Sequence, residues 1–236
     1  MSKSDGAIVK LQGVHKRYRQ GEVEVKALRG LDLTVEPGEF LAITGPSGSG
    51  KTTALNLIGA LDEPSEGSVI VEGRDLATMR RSERSRMRRD RIGFVFQAYN
   101  LIPVLTAYEN AEMVLRLQGT DAARRRERVM SLLREVGLEG MEDRRPNQLS
   151  GGQQQRVAIA RAIASDPAVT LADEPTANVD SATADRLLAL METLNRERGV
   201  TFIFSTHDPR VMERARRVVR LVDGRVESDE RDEVSA

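Results

Sequence analysis

The sequence has no cysteine and no tryptophan, and only 3% of its 236 residues are aromatic. The lack of cysteine excludes disulfide bonds and thiolate metal ligands. Its 36 basic and 36 acidic side chains cancel, so net charge gives no indication of nucleic-acid binding. The longest apolar runs, such as residues 40–43 and 218–222, have the length of strands and fall far short of the roughly 18–20 residues of a membrane span. The polar residues 1–10 do not form a signal peptide pattern. We expect any membrane contact to be made through a partner.

Short apolar runs alternate with helical patterns along most of the chain. Runs typical of strands that are buried on both faces cover residues 40–44, 92–96, 169–172, 201–205 and 218–222. Helical patterns begin at Lys51 and cover residues 150–164, 181–198 and 209–216. This alternation predicts an α/β fold with a largely parallel core sheet. Residues 8–35 contain short alternating segments and predict an antiparallel β flank.

The middle of the chain has a different pattern. Residues 106–139 are mostly helical and contain no buried-strand run. We therefore predict a helical subdomain at about residues 97–163, inserted into the core of a single domain that covers residues 1–236. Residues 225–236 are charged and weakly apolar, and they are predicted to form a flexible tail.

A phosphate-binding loop is the most specific motif. Residues 45–52 match G-x-x-x-x-G-K-T between a predicted strand and a predicted helix, which is the context that the motif requires. Glycines allow backbone N–H groups to point at phosphate oxygens, and the helix N-terminus adds partial positive charge. We assign Lys51 to the β- and γ-phosphates, Thr52 to Mg²⁺ and Thr53 to the α-phosphate. The predicted nucleotide-binding set is Gly45, Pro46, Ser47, Gly48, Ser49, Gly50, Lys51, Thr52 and Thr53.

Polar residues follow three of the other predicted strands, at the sheet edge where ligands of parallel sheets bind. Asp173 and Glu174 follow one strand, and we assign Asp173 to Mg²⁺ and Glu174 to the attacking water. His207 follows another and is placed to contact a γ-phosphate or that water. Gln97 ends a third, where its amide can ligate Mg²⁺ or water. Taken singly, each residue has an ordinary structural interpretation; the complete phosphate loop favours the functional one.

A second glycine-rich turn, Ser150-Gly151-Gly152-Gln153, opens a predicted helix. Ser150 is a good N-cap, and Gln153 occupies the capping-box position, so one interpretation is a well-capped helix start. Two glycines in the first turn weaken a helix, however. Their presence favours the interpretation that another group approaches this backbone closely. The turn would suit a γ-phosphate, although it lacks a lysine.

These motifs, and the order in which they follow one another along the chain, resemble those of the ATP-binding subunits of ABC (ATP-binding cassette) transporters. The resemblance covers about residues 8–226. The resemblance implies that Tyr18 stacks on adenine and that Asp180 lies in a loop that crosses between two copies. It also implies that residues 149–153 of one subunit close over the ATP of the other, with Glu174 as catalytic base and His207 as γ-phosphate switch. The implied protein is a homodimeric, ATP- and Mg²⁺-dependent ATPase at the cytoplasmic face of a membrane, where it binds permease subunits.

Within this family, residues 91–97 and 100–110 are similar to the lipoprotein-releasing, macrolide-export and cell-division branch. That similarity implies export or extraction of lipoprotein, hydrophobic or peptide substrates. Two departures are Thr170, where an aliphatic residue is usual, and Val179 before Asp180 in the crossing loop. One alternative is a regulatory ATPase that drives a membrane partner without transport. Another is a soluble cassette ATPase of DNA repair or translation, which the single cassette disfavours.

Arginines are concentrated in residues 80–91 and 124–128. A nucleic-acid or anionic-lipid contact is one interpretation, and a solvated helix face is the other. Interspersed acids and zero net charge favour the solvated face, so we expect no nucleic-acid partner.

Overall fold

The computed structural model describes residues 6–21 and 23–231. Its strands are β1 (Val9–Gln20), β2 (Val23–Val35), β3 (Phe40–Thr44), β4 (Glu66–Val71), β5 (Arg74–Asp75), β6 (Ile92–Val95), β7 (Val169–Asp173), β8 (Phe202–Ser205), β9 (Arg217–Val222) and β10 (Arg225–Arg231). Its α-helices are α1 (Lys51–Ile58), α2 (Arg81–Arg91), α3 (Ala107–Leu117), α4 (Ala122–Glu135), α5 (Gly151–Ile163), α6 (Ser181–Arg198) and α7 (Pro209–Arg214). None of the helices in these ranges is long and apolar enough to cross a membrane.

The core is a six-stranded sheet in the order β10-β9-β3-β8-β7-β6. Neighbouring strands from β9 to β6 run parallel, and β10 pairs with β9 in the antiparallel direction. The central strands β3 and β8 are buried throughout, which explains their continuous apolar sequences. The predicted α/β fold with a largely parallel sheet is confirmed.

A second, antiparallel sheet has the order β2-β1-β4-β5. It contains the flank that the sequence predicts for residues 8–35, together with two strands that the sequence analysis did not identify. The missed strand β4 has only two buried residues, Val69 and Val71, so its alternating pattern is too short to stand out.

Alternate residues of β3 enter two different hydrophobic cores, as the period of a strand requires. Phe40 and Ala42 pack with helices α3 to α6 on one face. Leu41 and Ile43 pack on the other face with α1 and with the apolar side of the antiparallel sheet. The core sheet is therefore the middle layer, and α1 lies between the two sheets.

Helices α3, α4 and α5 follow one another between β6 and β7. Helix α5 packs against both α3 and β6, so it joins the helical region to the core sheet. The predicted division of residues 97–163 into a separate subdomain stays a prediction.

The prediction of a flexible tail from residue 225 is wrong for residues 225–231, which form β10. Asp223 and Gly224 make a tight turn in which both have positive φ, 48° and 75°. The buried Arg217 then forms two 2.7 Å hydrogen bonds to Asp229, because a buried guanidinium needs a carboxylate. Residues 232–236 lie outside the described residues.

The two arginine-rich segments lie on helices, but a solvated face describes them only in part. In α2, Arg84 pairs with Glu63, Arg88 donates to Ala60 O at 2.7 Å, and Arg91 pairs with Glu72. In α4, Arg125 pairs with Glu112 and Arg128 with Asp166. These arginines bind α2 and α4 to neighbouring segments of the same chain.

Candidate nucleotide-binding site

The phosphate loop connects β3 to α1 and forms one wall of a cleft of about 760 Å³. The opposite walls come from strand ends that are far apart in sequence. Of the residues predicted to form the site, the cleft is lined by residues 45–53, Tyr18, Gln97, Glu174 and His207.

Glycines of the loop are required by the protein backbone around it. Gly45 has φ 140°, and a Cβ atom there would lie 2.1 Å from Leu221 O. Gly50 has φ 103°, and its Cβ would lie 2.6 Å from Ala27 O. Gly48 also has positive φ, 79°, but no atom lies within 4 Å of its Cβ position. The two outer glycines therefore allow β9 and β2 to hold the loop, while the middle one leaves its surface open.

Lys51 and Thr52 begin α1 at the base of the cleft. The Lys51 ammonium donates to Gly45 O at 2.8 Å and to Pro46 O at 3.0 Å, which holds it across the loop. Thr52 Oγ1 donates to Asp173 Oδ1 at 3.3 Å, so a residue of α1 and the end of β7 meet here. Gly50 provides no side-chain cap, which leaves the first N–H groups of α1 available to a phosphate.

Glu174 and His207 form a hydrogen-bonded pair at the ends of β7 and β8. His207 Nδ1 lies 2.7 Å from Glu174 Oε1, and Thr206 Oγ1 donates to Glu174 Oε2 at 3.1 Å. Glu174 has φ 45°, a strained value for a residue with a side chain, and its N–H donates to Ser205 O at 2.9 Å. The carboxylate is mostly buried, whereas 76% of the His207 side chain is exposed. The carboxylate is thus fixed, and the imidazole remains accessible.

Gln97 lies beside a junction of hydrogen bonds that sequence reasoning missed. Its carbonyl accepts a hydrogen bond from Asn178 Nδ2 at 2.9 Å, and the Tyr99 hydroxyl donates to Asn178 O at 2.9 Å. Arg161 of α5 donates to Tyr99 O at 2.8 Å and to Asn100 O at 2.6 Å. Both Tyr99 and Asn100 have positive φ, 58° and 50°. The only sequence signal is Asn100, since asparagine tolerates this conformation.

The second glycine-rich turn forms the predicted capping box at the start of α5. Ser150 Oγ accepts from Gln153 N at 3.3 Å, and Gln153 Oε1 accepts from Ser150 N at 2.9 Å. A Cβ at Gly152 would lie 2.3 Å from Thr183 Cγ2, and one at Gly151 would lie 2.7 Å from the Tyr99 hydroxyl. Packing against Thr183 within the same chain therefore explains Gly152, whereas at Gly151 the neighbouring atom is the end of the Tyr99 side chain.

Of the predicted site residues, the cleft lining does not include Ser150, Gly151, Gly152, Gln153, Asp173 and Asp180. Asp180 caps α6 by accepting a hydrogen bond from Thr183 N at 2.9 Å. The side-chain hydroxyl of Thr183, followed by this backbone bond, lowers the pKa of Asp180. One chain therefore brings the phosphate loop, the acids and His207 together but leaves the second glycine-rich turn outside.

Oxygen ligands of the kind that Mg²⁺ prefers are the Thr52 hydroxyl and the Gln97 amide, which line the cleft, and the Asp173 carboxylate, which lies beside Thr52 but does not line it. Thr52 and Asp173 already lie within 3.3 Å of each other. Among the described residues, no group of three or more His, Asp or Glu side chains could hold a metal ion alone. These residues fit a magnesium ion that also takes ligands from phosphate oxygens.

Comparison with known proteins relates this arrangement to one family. The family model described as ABC transporter matches residues 28–177. The chain is 51% identical to the lipoprotein-releasing system ATP-binding protein LolD of Anaeromyxobacter dehalogenans, covering 94% of this chain and 93% of that protein. It is 47% identical to the macrolide export ATP-binding/permease protein MacB of Syntrophobacter fumaroxidans, but it spans only 31% of that protein's length. A solved structure of the ATP-binding cassette MJ0796, dimeric and bound to ADP and Pi, matches with a TM-score of 0.87 and 46% identity, covering 94% of this chain and 98% of that one.

Proposed function

Because this chain belongs to the ABC transporter family, we propose that it hydrolyses ATP between two copies of itself and so powers an integral-membrane permease. One observation carries the proposal. The cleft of a single chain contains the phosphate loop and the Glu174–His207 pair, whereas Ser150 to Gln153 lie outside it. A second copy supplies that turn, together with Asp180, and ATP becomes the contact between them.

ATP occupies the cleft along its length. Tyr18 contacts the adenine ring, residues 45–53 surround the phosphates, and the Lys51 ammonium turns from the loop carbonyls toward the β- and γ-phosphates. The helix N-terminus of α1 adds partial positive charge at the same place. Ser150 of the partner copy and the N–H groups that follow it approach the γ-phosphate from the opposite side.

Glu174 acts as the catalytic base. Its carboxylate orients a water molecule and accepts the proton as the water oxygen bonds to the γ-phosphorus. The bond between the γ-phosphorus and the bridging oxygen breaks, leaving ADP and phosphate. His207 fixes the carboxylate and presents an exposed ring to the γ-phosphate. The hydrogen bonds from Thr206 and His207 hold Glu174 before the nucleotide arrives, so little reorganisation is needed.

Thr52, Asp173 and Gln97 would hold Mg²⁺ at this site. When bound, the ion would neutralise charge on the phosphates. Gln97 lies two residues beyond the end of β6, and its carbonyl accepts a hydrogen bond from Asn178 in the segment that precedes Asp180. The Gln97 region would transmit the change from ATP to ADP to the helices α3 to α5.

The relatives guide the proposal about partner and location. LolD matches this chain over nearly its whole length, and MacB is named as a combined ATP-binding and permease protein. We place this chain on the cytoplasmic face of the membrane, bound peripherally through a permease that exports or extracts lipoprotein, hydrophobic or peptide substrates. No nucleic acid takes part in this function.

The test begins with Lys51→Ala. The variant should lose ATP binding while it keeps a wild-type circular dichroism spectrum, and normal affinity would contradict the loop assignment. Copurification of the chain with an integral-membrane protein, followed by ATP-dependent substrate movement in reconstituted vesicles, tests the coupling. ATP hydrolysis that responds to the membrane protein without any movement of substrate would support a regulatory role instead.

A further inference from the structure

Three side chains form a closed triangle at the adenine end of the cleft. The Tyr18 hydroxyl donates to Asp62 Oδ2 at 2.8 Å, and Lys16 Nζ donates to Asp62 Oδ1 at 2.6 Å. The same ammonium lies 4.8 Å from the centroid of the Tyr18 ring. Each member therefore contacts the other two.

The two charges lie behind the ring and outside the nucleotide space. Tyr18 lines the cleft, but Lys16 and Asp62 do not. The Lys16 side chain is only 11% exposed, and its ammonium also donates to Glu63 O at 2.8 Å. Desolvation raises the pKa of Asp62, but the hydrogen bonds from Lys16 and Tyr18 outweigh it and lower that pKa, so the carboxylate is charged at neutral pH. One face of the ring is thus supported, and the other is left for a ligand.

Backbone pairing alone does not fix Tyr18 firmly. Strand β1 pairs with β4 only as far as His15, whereas its pairing with β2 continues through Tyr18. Tyr18 therefore stands on a two-stranded extension, a structure that is marginally stable without further contacts. Asp62 supplies those contacts from outside the sheet, through its hydrogen bonds with Tyr18 and Lys16.

Asp62 connects this extension to the helix that carries the phosphate loop. Asp62 follows α1. Its backbone N–H donates to Asn56 O at 3.3 Å, and the N–H of Leu61 donates to the same oxygen at 2.9 Å. In a nucleotide the base and the phosphates are a fixed number of bonds apart. A base platform must therefore be held at a set position relative to α1, and Asp62 makes one such connection.

We propose that Asp62 and Lys16 are positioning residues that hold the Tyr18 ring as a platform for the purine of the nucleotide. The proposal rests on the proposed function, since it takes the cleft ligand to be ATP. It adds that affinity for the base depends on two charged residues that do not touch the nucleotide. Loss of either lets the ring turn and weakens stacking, whereas the phosphate loop is unaffected.

The experiment compares a ligand with a base and a ligand without one. Equilibrium binding of ATP and of inorganic tripolyphosphate is measured for wild type, Asp62→Ala, Lys16→Met and Glu63→Gln. The Glu63 variant is the matched control, because it removes the neighbouring carboxylate, which pairs with Arg84 and not with Tyr18. Asp62→Ala and Lys16→Met should each weaken ATP binding by about fivefold to tenfold, the loss expected for one hydrogen bond, and leave tripolyphosphate binding unchanged. Steady-state kinetics should show a raised KM for ATP with an unchanged kcat.

A double-mutant cycle tests whether Asp62 acts through Tyr18. The loss of ATP affinity in Tyr18→Phe combined with Asp62→Ala should be smaller than the product of the single losses, because both remove the same hydrogen bond. Unchanged ATP affinity in Asp62→Ala and Lys16→Met would overturn the proposal. Equal losses for ATP and tripolyphosphate would also overturn it, since they would indicate general damage to α1. Failure of the wild type to bind either ligand would instead overturn the proposed function.

Discussion

His207 Nδ1 and Glu174 Oε1 are 2.7 Å apart, so the imidazole and the carboxylate at the ends of two adjacent parallel strands form one unit. The strands β7 and β8 pair directly, with Asp173 opposite Ser205, and this register brings the residues that follow them side by side. Thr206 holds the second carboxylate oxygen. Hydrogen bonds with His207 and Thr206 therefore orient the Glu174 carboxylate. Its role in hydrolysis can be tested separately from nucleotide binding.

Glu174→Gln should keep ATP affinity within about twofold and slow hydrolysis by roughly 10²–10⁴-fold, because an amide cannot accept the proton of water. With hydrolysis stalled, ATP should hold the two copies together. Phosphate release measures the first effect, and size-exclusion chromatography in saturating ATP measures the second. His207→Ala is the companion variant, which should also slow hydrolysis but retain the base. A Glu174→Gln protein that stays monomeric in saturating ATP would count against the dimeric site.

Ser150→Arg and Lys51→Ala should complement each other in trans. Ser150→Arg blocks the turn that closes over the partner's ATP, but it leaves the protein's own phosphate loop intact. Lys51→Ala has the opposite defect. Each protein alone should be inactive, whereas a mixture should regain ATP hydrolysis, because one site of a mixed dimer has both halves intact. Titration of one variant into the other, with phosphate release as the readout, checks this. Absence of recovery, or loss of ATP binding by Ser150→Arg alone, would place the turn in the same chain's site.

The positions of the phosphate loop, Glu174 and His207 at the cleft could be predicted because each follows a buried strand in a short local pattern. The strand β10 was missed although Asp223-Gly224 is a strong hairpin signal. Its residues are almost all exposed, so the hydrophobic pattern that identifies other strands is absent. The charges that suggested a flexible tail include Asp229, which holds the strand through Arg217.

The junction of Tyr99, Asn178 and Arg161 could not be predicted from the sequence. Tyr99 and Asn178 are 79 positions apart, and Arg161 reaches Tyr99 from 62 positions away. Contacts between residues so far apart leave no local pattern in the sequence. The same limit applies to Gly152, whose first-turn position predicts close approach but does not show that Thr183 is the approaching residue.

Gly152→Ala should destabilise the protein by about 1–3 kcal/mol, because the new methyl group would lie 2.3 Å from Thr183 Cγ2. The second change Thr183→Ser removes that carbon and keeps the hydroxyl that accepts from Arg186. The double variant should recover most of the loss, helped by the higher helix propensity of alanine. Urea unfolding measures each free energy. Equal stability of the single and double variants would show that this contact does not explain the glycine.

Stability should depend on pH through Asp229. The hydrogen bonds from Arg217 lower the pKa of Asp229 below its ordinary value of 3.8. A lowered pKa in the folded state means that the stabilisation is present above that ordinary value and is lost as the pH falls through the folded pKa. Asp229→Asn should therefore be less stable than wild type at pH 7, by no more than about 1 kcal/mol because the carboxylate is partly exposed. The difference in unfolding free energy should be constant down to about pH 5 and disappear below the folded pKa of Asp229. Urea unfolding at each pH measures it. A constant difference at all pH values would contradict the assignment.

Arg161→Lys should impair hydrolysis more than nucleotide binding. The guanidinium of Arg161 donates to two carbonyls, Tyr99 O and Asn100 O, and thereby holds a strained segment close to Gln97. Burial lowers the pKa of Arg161. A lysine ammonium lacks the planar fork that reaches both. We expect the rate of phosphate release to fall about tenfold. This is near the largest effect usually seen for the loss of one hydrogen bond. ATP affinity should stay within about twofold.

Arg156→Lys is the matched control for that experiment. Arg156 lies on the same helix and donates to a carbonyl, Val136 O, at 2.8 Å, but it does not contact the Gln97 segment. Both substitutions should lower the unfolding temperature to a similar extent, since each weakens a partly buried hydrogen bond. Only Arg161→Lys should slow hydrolysis. If the two variants lose hydrolysis equally, the loss reflects stability alone, and Arg161 does not position Gln97 for the reaction.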